Sequence, residues 1–177
     1  VEERAMLQAR VSLPSTGPRL RGGPKLIQAL NDVVVGSRGA ARMVAIQVSI
    51  NGAMLTEHHA DAVIVATATG STGYALSAGG PIMHPLSHDL VLKPVAAHLG
   101  LSDALVLPSD TLVELVVRSD QPTNLNADGF VEQPLEEGAR IEVTAGPHQM
   151  RFLRKSAPDH YYLTLTQRLR QPGGLVP

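Results

Sequence analysis

The densest run of chemically capable residues is Thr67-Ala68-Thr69-Gly70-Ser71-Thr72-Gly73-Tyr74-Ala75-Leu76-Ser77-Ala78-Gly79-Gly80-Pro81. Glycines let backbone approach a ligand closely, and Ser and Thr hydroxyls act as short-range donors and acceptors. The run directly follows Ala62-Val63-Ile64-Val65-Ala66, an apolar segment that reads as a buried strand. A strand-to-helix turn at that point would aim free N–H groups at anionic or polar atoms. Two phosphate-binding patterns are excluded. No Lys follows the glycines as a P-loop requires, and Gly70 and Gly73 lack the G-x-G-x-x-G spacing. Residue types alone leave two readings open, a ligand loop or a plain turn.

Other chemically capable residues have bland readings of their own. Asn31-Asp32 has the composition of a helix end or turn, and Asp128-Gly129 that of a hairpin turn. Asp61 stands at the start of the apolar strand. The seven His residues show no metal-ligand spacing, since the adjacent His58 and His59 would point to opposite faces of a strand. Ser71, His98 and Asp110 could be assembled into a hydrolytic triad only on paper, because nothing in the sequence brings them together.

The elements that must position these residues are mostly strands. Leu7, Ala9, Val11 and Leu13 alternate with polar residues, as do Val44, Ile46, Val48 and Ile50 before Asn51-Gly52, a hairpin signal in which both residues take positive φ. Further strand candidates are Leu112 to Arg118, Asn124 to Ala127, Val131 to Leu135, Ile141 to Ala145 and Gln149 to Leu153. Pro14 to Pro24 reads as a loop. The tail is helical by spacing: Tyr161, Tyr162, Leu165 and Leu169 share a face, with Lys155, Arg168 and Arg170 outside it, and Gln171-Pro172-Gly173-Gly174 ends it. These elements predict a mainly β, two-sheet, sandwich-like architecture with few helices, one near the Gly-rich run and one at the end. At 177 residues the chain suits one domain over 1–170 followed by a short tail over 171–177. Only 3% of residues are aromatic, so the core falls to Val, Leu, Ile, Ala and Met. A net charge of −1 leaves no electrostatic footprint for nucleic acid or an anionic membrane, and no apolar run reaches the ~20 residues of a membrane span. The absence of Cys and of a signal-peptide pattern makes a cytoplasmic location the expectation.

The run from Thr67 to Pro81 closely resembles the T-P-T-G-S-T-A-Y-x-L-S-A-G-G-P segment of NAD kinases, with Ala68 and Gly73 as departures. Ala29-Leu30-Asn31-Asp32 followed by Val33-Val34-Val35 is similar to that family's Asn-Glu/Asp motif. Ala60-Asp61-Ala62-Val63-Ile64-Val65 resembles its strand leading into the Gly-rich segment, and Asn126-Ala127-Asp128-Gly129 its later Asp-Gly turn. The motifs agree in order and spacing over nearly the whole chain.

The resemblance implies phosphoryl transfer from ATP or another donor to the adenosine 2′-hydroxyl of NAD, giving NADP, with Mg²⁺ or another divalent metal accompanying ATP. It implies that Asn31 and Asp32 hold the adenosine part of NAD and that Arg42 lies near phosphate. Thr72, Gly73, Tyr74, Ala75, Leu76 and Ser77 would line the nucleotide pocket, with Ala96 and Phe130 near the ligand and Thr69 and Asp128 as additional candidates. Asp61 would reach NAD held mainly by a neighbouring subunit of a homodimer or homotetramer. His59 stands where many bacterial members have Arg, which makes any phosphate contact there pH-dependent or removes it. Phe130 lacks the amide that some relatives supply. The family's Gly-Gly-Asp-Gly-Thr motif, whose Asp is assigned as the base, does not occur here. With Val1 in place of Met, the expectation is a C-terminal domain whose N-terminal partner precedes it, holds the catalytic base and is needed for activity. Two alternatives from other classes are a non-catalytic nucleotide-binding or regulatory module and a related lipid kinase domain.

Overall fold

The computed structural model describes residues 1–14, 24–39, 43–98 and 101–154, together with Tyr161, Tyr162, Thr164, Leu165 and Gln167. Twelve strands follow in chain order: β1 (Glu2–Ser12), β2 (Lys25–Ala29), β3 (Asp32–Ser37), β4 (Val44–Ile50), β5 (Ala53–Ala60), β6 (Ala62–Ala66), β7 (Leu90–Val95), β8 (Leu105–Leu107), β9 (Val113–Val117), β10 (Thr123–Ala127), β11 (Val131–Leu135) and β12 (Arg140–Phe152). Between β6 and β7 lie a 3₁₀ turn (Gly70–Thr72) and the short helix α1 (Tyr74–Ser77).

The strands form two six-stranded antiparallel sheets, ordered β2-β1-β12-β9-β4-β5 and β11-β10-β3-β6-β7-β8. Period-two alternation decides which side chains meet between them. Leu7, Ala9 and Val11 from β1 and Val44, Ile46 and Val48 from β4 share one buried cluster with Val33, Val35, Val63, Val65 and Leu125 from the second sheet. The expected sandwich is therefore present, with aliphatic side chains filling it. The second sheet also has a covered outer face, where Ile64, Ala66 and Val91 pack with Ala68, Ala75 and Met83 from the Gly-rich segment and the chain beyond it. This is why β6 is buried at every position and reads as a continuous apolar run.

The two hairpin signals behave as expected: Asn51 and Gly52 have φ of 50° and 81°, and Asp128 and Gly129 have 51° and 73°. One expectation is corrected. Ile141 to Ala145 and Gln149 to Leu153 are not two strands: residues 141–145 and 149–152 belong to the single strand β12, and Leu153 lies just past its end. The punctuation of Gly146-Pro147 is absorbed by a bulge against β1. Leu7 pairs with Ala145 and Ala5 with Gln149, so residues 146–148 stand opposite Met6 and the missing proline N–H interrupts no regular pair. Strands β2, β3, β5, β7 and β8 were not among the expected ones. Of the tail, Tyr161, Tyr162, Thr164, Leu165 and Gln167 are helical. Tyr161 donates its hydroxyl to the Met83 carbonyl at 3.0 Å and packs edge-on against His84, fastening that helix beside the Gly-rich segment. Leu169, Lys155, Arg168, Arg170 and the 171–174 terminator lie outside the described residues, as does the loop from 15 to 23.

Candidate functional site

The site grows from two turns at one end of the second sheet. Leu30 and Asn31 form the turn between β2 and β3, and Thr67 to Gly73 leave β6, the neighbour of β3. Thr67 joins them: its N–H donates to the Asn31 carbonyl at 2.8 Å and its hydroxyl to the Leu30 carbonyl at 2.6 Å. Gly70 packs so closely that a Cβ there would lie 2.0 Å from the Asn31 carbonyl oxygen, which explains the glycine better than any need for unusual φ.

From the opposite side, Asp128 closes on the same turn. Its Oδ2 accepts the Leu30 N–H at 2.7 Å, and its Oδ1 accepts those of Asn31 and Asp32 at 2.6 and 3.1 Å. With its backbone thus satisfied, the turn leaves two side chains free. Among the described residues neither the Asn31 amide nor the Asp32 carboxylate has a hydrogen-bond partner. Asp32 is only 8% exposed. Burial, reinforced by the like charge of Asp128, pushes its carboxyl up to about 6. A buried acid without a partner is costly to a folded domain, and such groups gather at functional sites.

Much of the hydroxyl content of the Gly-rich run is consumed internally. Thr67 Oγ1 also accepts the Gly70 N–H at 3.1 Å. Ser71 donates to the Ala68 carbonyl at 2.7 Å and accepts the Met83 N–H at 2.9 Å, and Thr72 donates to the Thr69 carbonyl at 3.3 Å. Ser71 is fully buried, so it is a structural hydroxyl and no nucleophile. Ala75 is likewise enclosed in the cluster against the sheet, while Thr72 and Leu76 are half-buried and Gly73, Tyr74 and Ser77 reach the surface. Helix α1 is four residues long, too short for a helix dipole to matter.

Tyr74 and Asp61 line one polar cleft of about 390 Å³ over the outer face of the second sheet. Its floor comes from Val34, Gly36 and Ala62, and its far wall from Asn124, Asn126 and Glu132. Asn124 is 8% exposed and its Oδ1 has no partner among the described residues, while its amide nitrogen donates to Glu132. A second junction brings His59, Asp61 and Ala96 together. The Asp61 N–H donates to the Val95 carbonyl at 3.0 Å and the His98 N–H to the His59 carbonyl at 2.9 Å. Ala96 is held at a φ of 49°, a left-handed conformation uncommon for a residue with a Cβ. The His59 imidazole lies 3.1 Å from the Glu57 carboxylate. Phe130 stands 92% exposed just past the Asp128-Gly129 turn. Arg42 lies outside the described residues. Thr69 meets Arg4, whose guanidinium approaches its hydroxyl at 3.5 Å while paired with Glu2 and stacked over the Phe152 ring.

Residue-type reasoning did not single out Arg4, Asn124 or Glu132. Arg4 lies beyond the β1 bulge, where alternation no longer reports the facing side. Asn124 on β10 and Glu132 on β11 would have required the knowledge that the outer face of the second sheet is partly open.

The family profile of the ATP-NAD kinase C-terminal domain matches residues 30–155. The chain belongs to that family. It is 42% identical over 172 residues to the NAD kinase of Chloroflexus aurantiacus, covering 96% of this chain and 59% of that protein. It is 35% identical over 170 residues to the NAD kinase of Dehalococcoides mccartyi, covering 96% and 58%. Two solved structures share its fold. Yeast NADH kinase complexed with NADH gives a TM-score of 0.85 at 24% identity, over 99% of this chain and 50% of that one. An NAD kinase from Archaeoglobus fulgidus in complex with ATP gives 0.73 at 24% identity, over 93% and 61%. This member of the family thus spans about three fifths of the length of the NAD kinases it matches in sequence.

Proposed function

We propose that this chain is the nucleotide-recognition half of an NAD kinase, serving phosphoryl transfer from ATP or another donor to the adenosine 2′-hydroxyl of NAD. The observation that carries the reading is the interlock of the two turns. Backbone and hydroxyl groups bind the turns to each other, and among the described residues the Asn31 amide and Asp32 carboxylate remain unpartnered. A carboxylate and an amide side by side suit ribose hydroxyls and a nucleobase edge, which supply the complementary donors and acceptors. Tyr74, 45% exposed above the cleft, offers a ring face and a hydroxyl to the same ligand.

In the transfer, the 2′-oxygen forms a bond to the terminal phosphorus and the bond to the bridging oxygen breaks, while the hydroxyl proton goes to a base. Such chemistry is mostly positioning and charge neutralisation. This chain supplies the acceptor's position. The base and most of the donor site belong to the Gly-Gly-Asp-Gly-Thr portion of the complete enzyme, a motif this sequence lacks. A divalent metal would enter with ATP. Among the described residues no group of three or more His, Asp or Glu side chains could hold a metal ion, so its binding falls to phosphate oxygens and groups beyond these. The working form is a cytoplasmic homodimer or homotetramer in which Asp61 completes a neighbour's NAD pocket. Among the described residues no helix is long and apolar enough to cross a membrane.

The test is paired. Titration calorimetry of this chain with NAD should show binding, while incubation with NAD, ATP and Mg²⁺ should yield no NADP. Losing a general base alone costs about 10²–10⁴-fold, and losing donor positioning costs more. NADP production by the purified chain would overturn the division of labour, and absence of NAD binding would overturn the recognition role.

A further inference from the structure

We propose that Asp128 is a positioning residue for nucleotide recognition: its carboxylate holds the Leu30-Asn31-Asp32 backbone in the shape that presents the Asn31 and Asp32 side chains to the ligand. This rests on the function proposed above and gives it a mechanical basis. The sequence resemblance had left Asp128 as a candidate ligand contact.

The geometry gives the carboxylate a different task. Both its oxygens are occupied by consecutive backbone N–H groups, with Leu30 on Oδ2 at 2.7 Å and Asn31 and Asp32 on Oδ1 at 2.6 and 3.1 Å. Three converging amides form a concave nest that favours an anion, and here the anion is a side chain from elsewhere in the same protein. The hold is reciprocal, because the Asp128 N–H donates to the Asp32 carbonyl at 3.1 Å. Asp128 is in turn fixed by its own turn. It takes a φ of 51°, and the Phe130 N–H returns to the Ala127 carbonyl at 3.1 Å, while Ala127 pairs with Val33 in the adjoining strand.

The donors of the Asn31 turn therefore point at Asp128, and its carbonyls accept from Thr67. Charge-assisted N–H bonds of this kind are stronger than neutral ones and fix direction. The arrangement accepts a penalty, for a second carboxylate beside the buried Asp32 disfavours its ionised state. A plain turn would not need that penalty, since an Asn or Ser could cap two of the same amides. What a carboxylate adds is two oxygens reaching three donors, and so a single turn geometry.

The experiment uses this chain, isotope-labelled for NMR, and its Asp128→Asn and Asp128→Glu variants. In the parent, the Leu30 and Asn31 amides should exchange as slowly as sheet amides although they lie in a turn. Exchange at open-turn rates would overturn the proposal without reference to any variant. In Asp128→Asn, the midpoint of the Asp32 carboxyl titration should fall, those amides should exchange faster, and NAD should bind about tenfold more weakly or worse. In Asp128→Glu the charge persists but is displaced by a methylene. Its Asp32 midpoint should stay raised while NAD affinity drops, a split that loss of general stability would not produce. Should Asp128→Asn not fold, the parent's exchange rates and Asp128→Glu decide. Parental NAD affinity in a variant whose amides have loosened would overturn the positioning role. A parent with protected amides and a raised Asp32 midpoint that binds no NAD would overturn the function above and leave the hold of Asp128 on the turn standing.

Discussion

Asp32→Asn should stabilise the nucleotide-free domain at neutral pH while weakening NAD binding. Asp32 is buried, with 8% of the residue exposed; its carboxyl lacks a partner among the described residues and sits beside Asp128. Its pKa rises from 3.8 to about 6, chiefly through burial and secondarily through Asp128. A folded-state value above the unfolded one means that the native protein binds the proton more tightly. Stability is then fullest below 3.8 and falls as pH rises through about 6, levelling off above it. At about 1.4 kcal/mol per tenfold change in proton affinity, the full span is about 3 kcal/mol. Water at the mouth of the turn relaxes part of this, and about 1–2 kcal/mol is expected. The assay is urea denaturation of parent and variant at pH 4.5 and 7.5. The variant's advantage should be clearly smaller at the lower pH, where the folded carboxyl is mostly protonated, and should widen at the higher. His58, whose burial lowers its imidazole pKa, titrates in both proteins and cancels in the difference. A gap that does not change with pH, or a variant less stable at pH 7.5, would refute the reasoning, because it would mean that the Asp32 charge is compensated in the folded state.

Asn31→Ala should weaken NAD binding by about 1–3 kcal/mol by calorimetry with little change in thermal stability, because its amide has no partner among the described residues; unchanged affinity would remove Asn31 from the site. Gly70→Ala should destabilise the domain by about 2 kcal/mol or more in urea, since its Cβ would lie 2.0 Å from the Asn31 carbonyl oxygen, and a neutral result would show that the two turns can separate freely. In the complete enzyme, Asp61→Ala and Asn31→Ala subunits should each be poor alone and recover part of the activity when co-assembled. Failure to complement in verified mixed oligomers would place Asp61 in its own subunit's site, where Tyr74 already shares a cleft with it.

Legibility in the sequence followed how local the physics was. Asn51-Gly52 and Asp128-Gly129 were readable because positive φ selects residue types within two positions. The uniformly buried β6 was readable because covering on both faces erases alternation. Strand β12 was divided in error because Gly146-Pro147 is punctuation in isolation, and only its pairing with a bulged β1 absorbs it. Strand β5 escaped because an edge strand with exposed Ala53, Met54 and Leu55 has no clean inward face. At the site, the Gly-rich run and Asn31-Asp32 were visible as residue types in order. The hold of Asp128 on residues nearly a hundred positions earlier was not, for no period or motif reports a side chain that serves another turn's backbone.

The same distinction separates the residues that draw notice from those placed to meet a ligand. Thr67, Ser71 and Thr72 make the Gly-rich run conspicuous, yet their hydroxyls bond to backbone within the two turns and beside them. Removing one of them should therefore act on NAD indirectly, through the shape of the turn. Among the described residues the Asn31 and Asp32 side chains have no hydrogen-bond partner, and Asp61 and Tyr74 line the polar cleft over the outer face of the second sheet. A folded domain gains nothing by itself from an unpaired buried carboxylate. On the function proposed above, the partner of Asp32 arrives from outside, and NAD offers hydroxyls of the right kind.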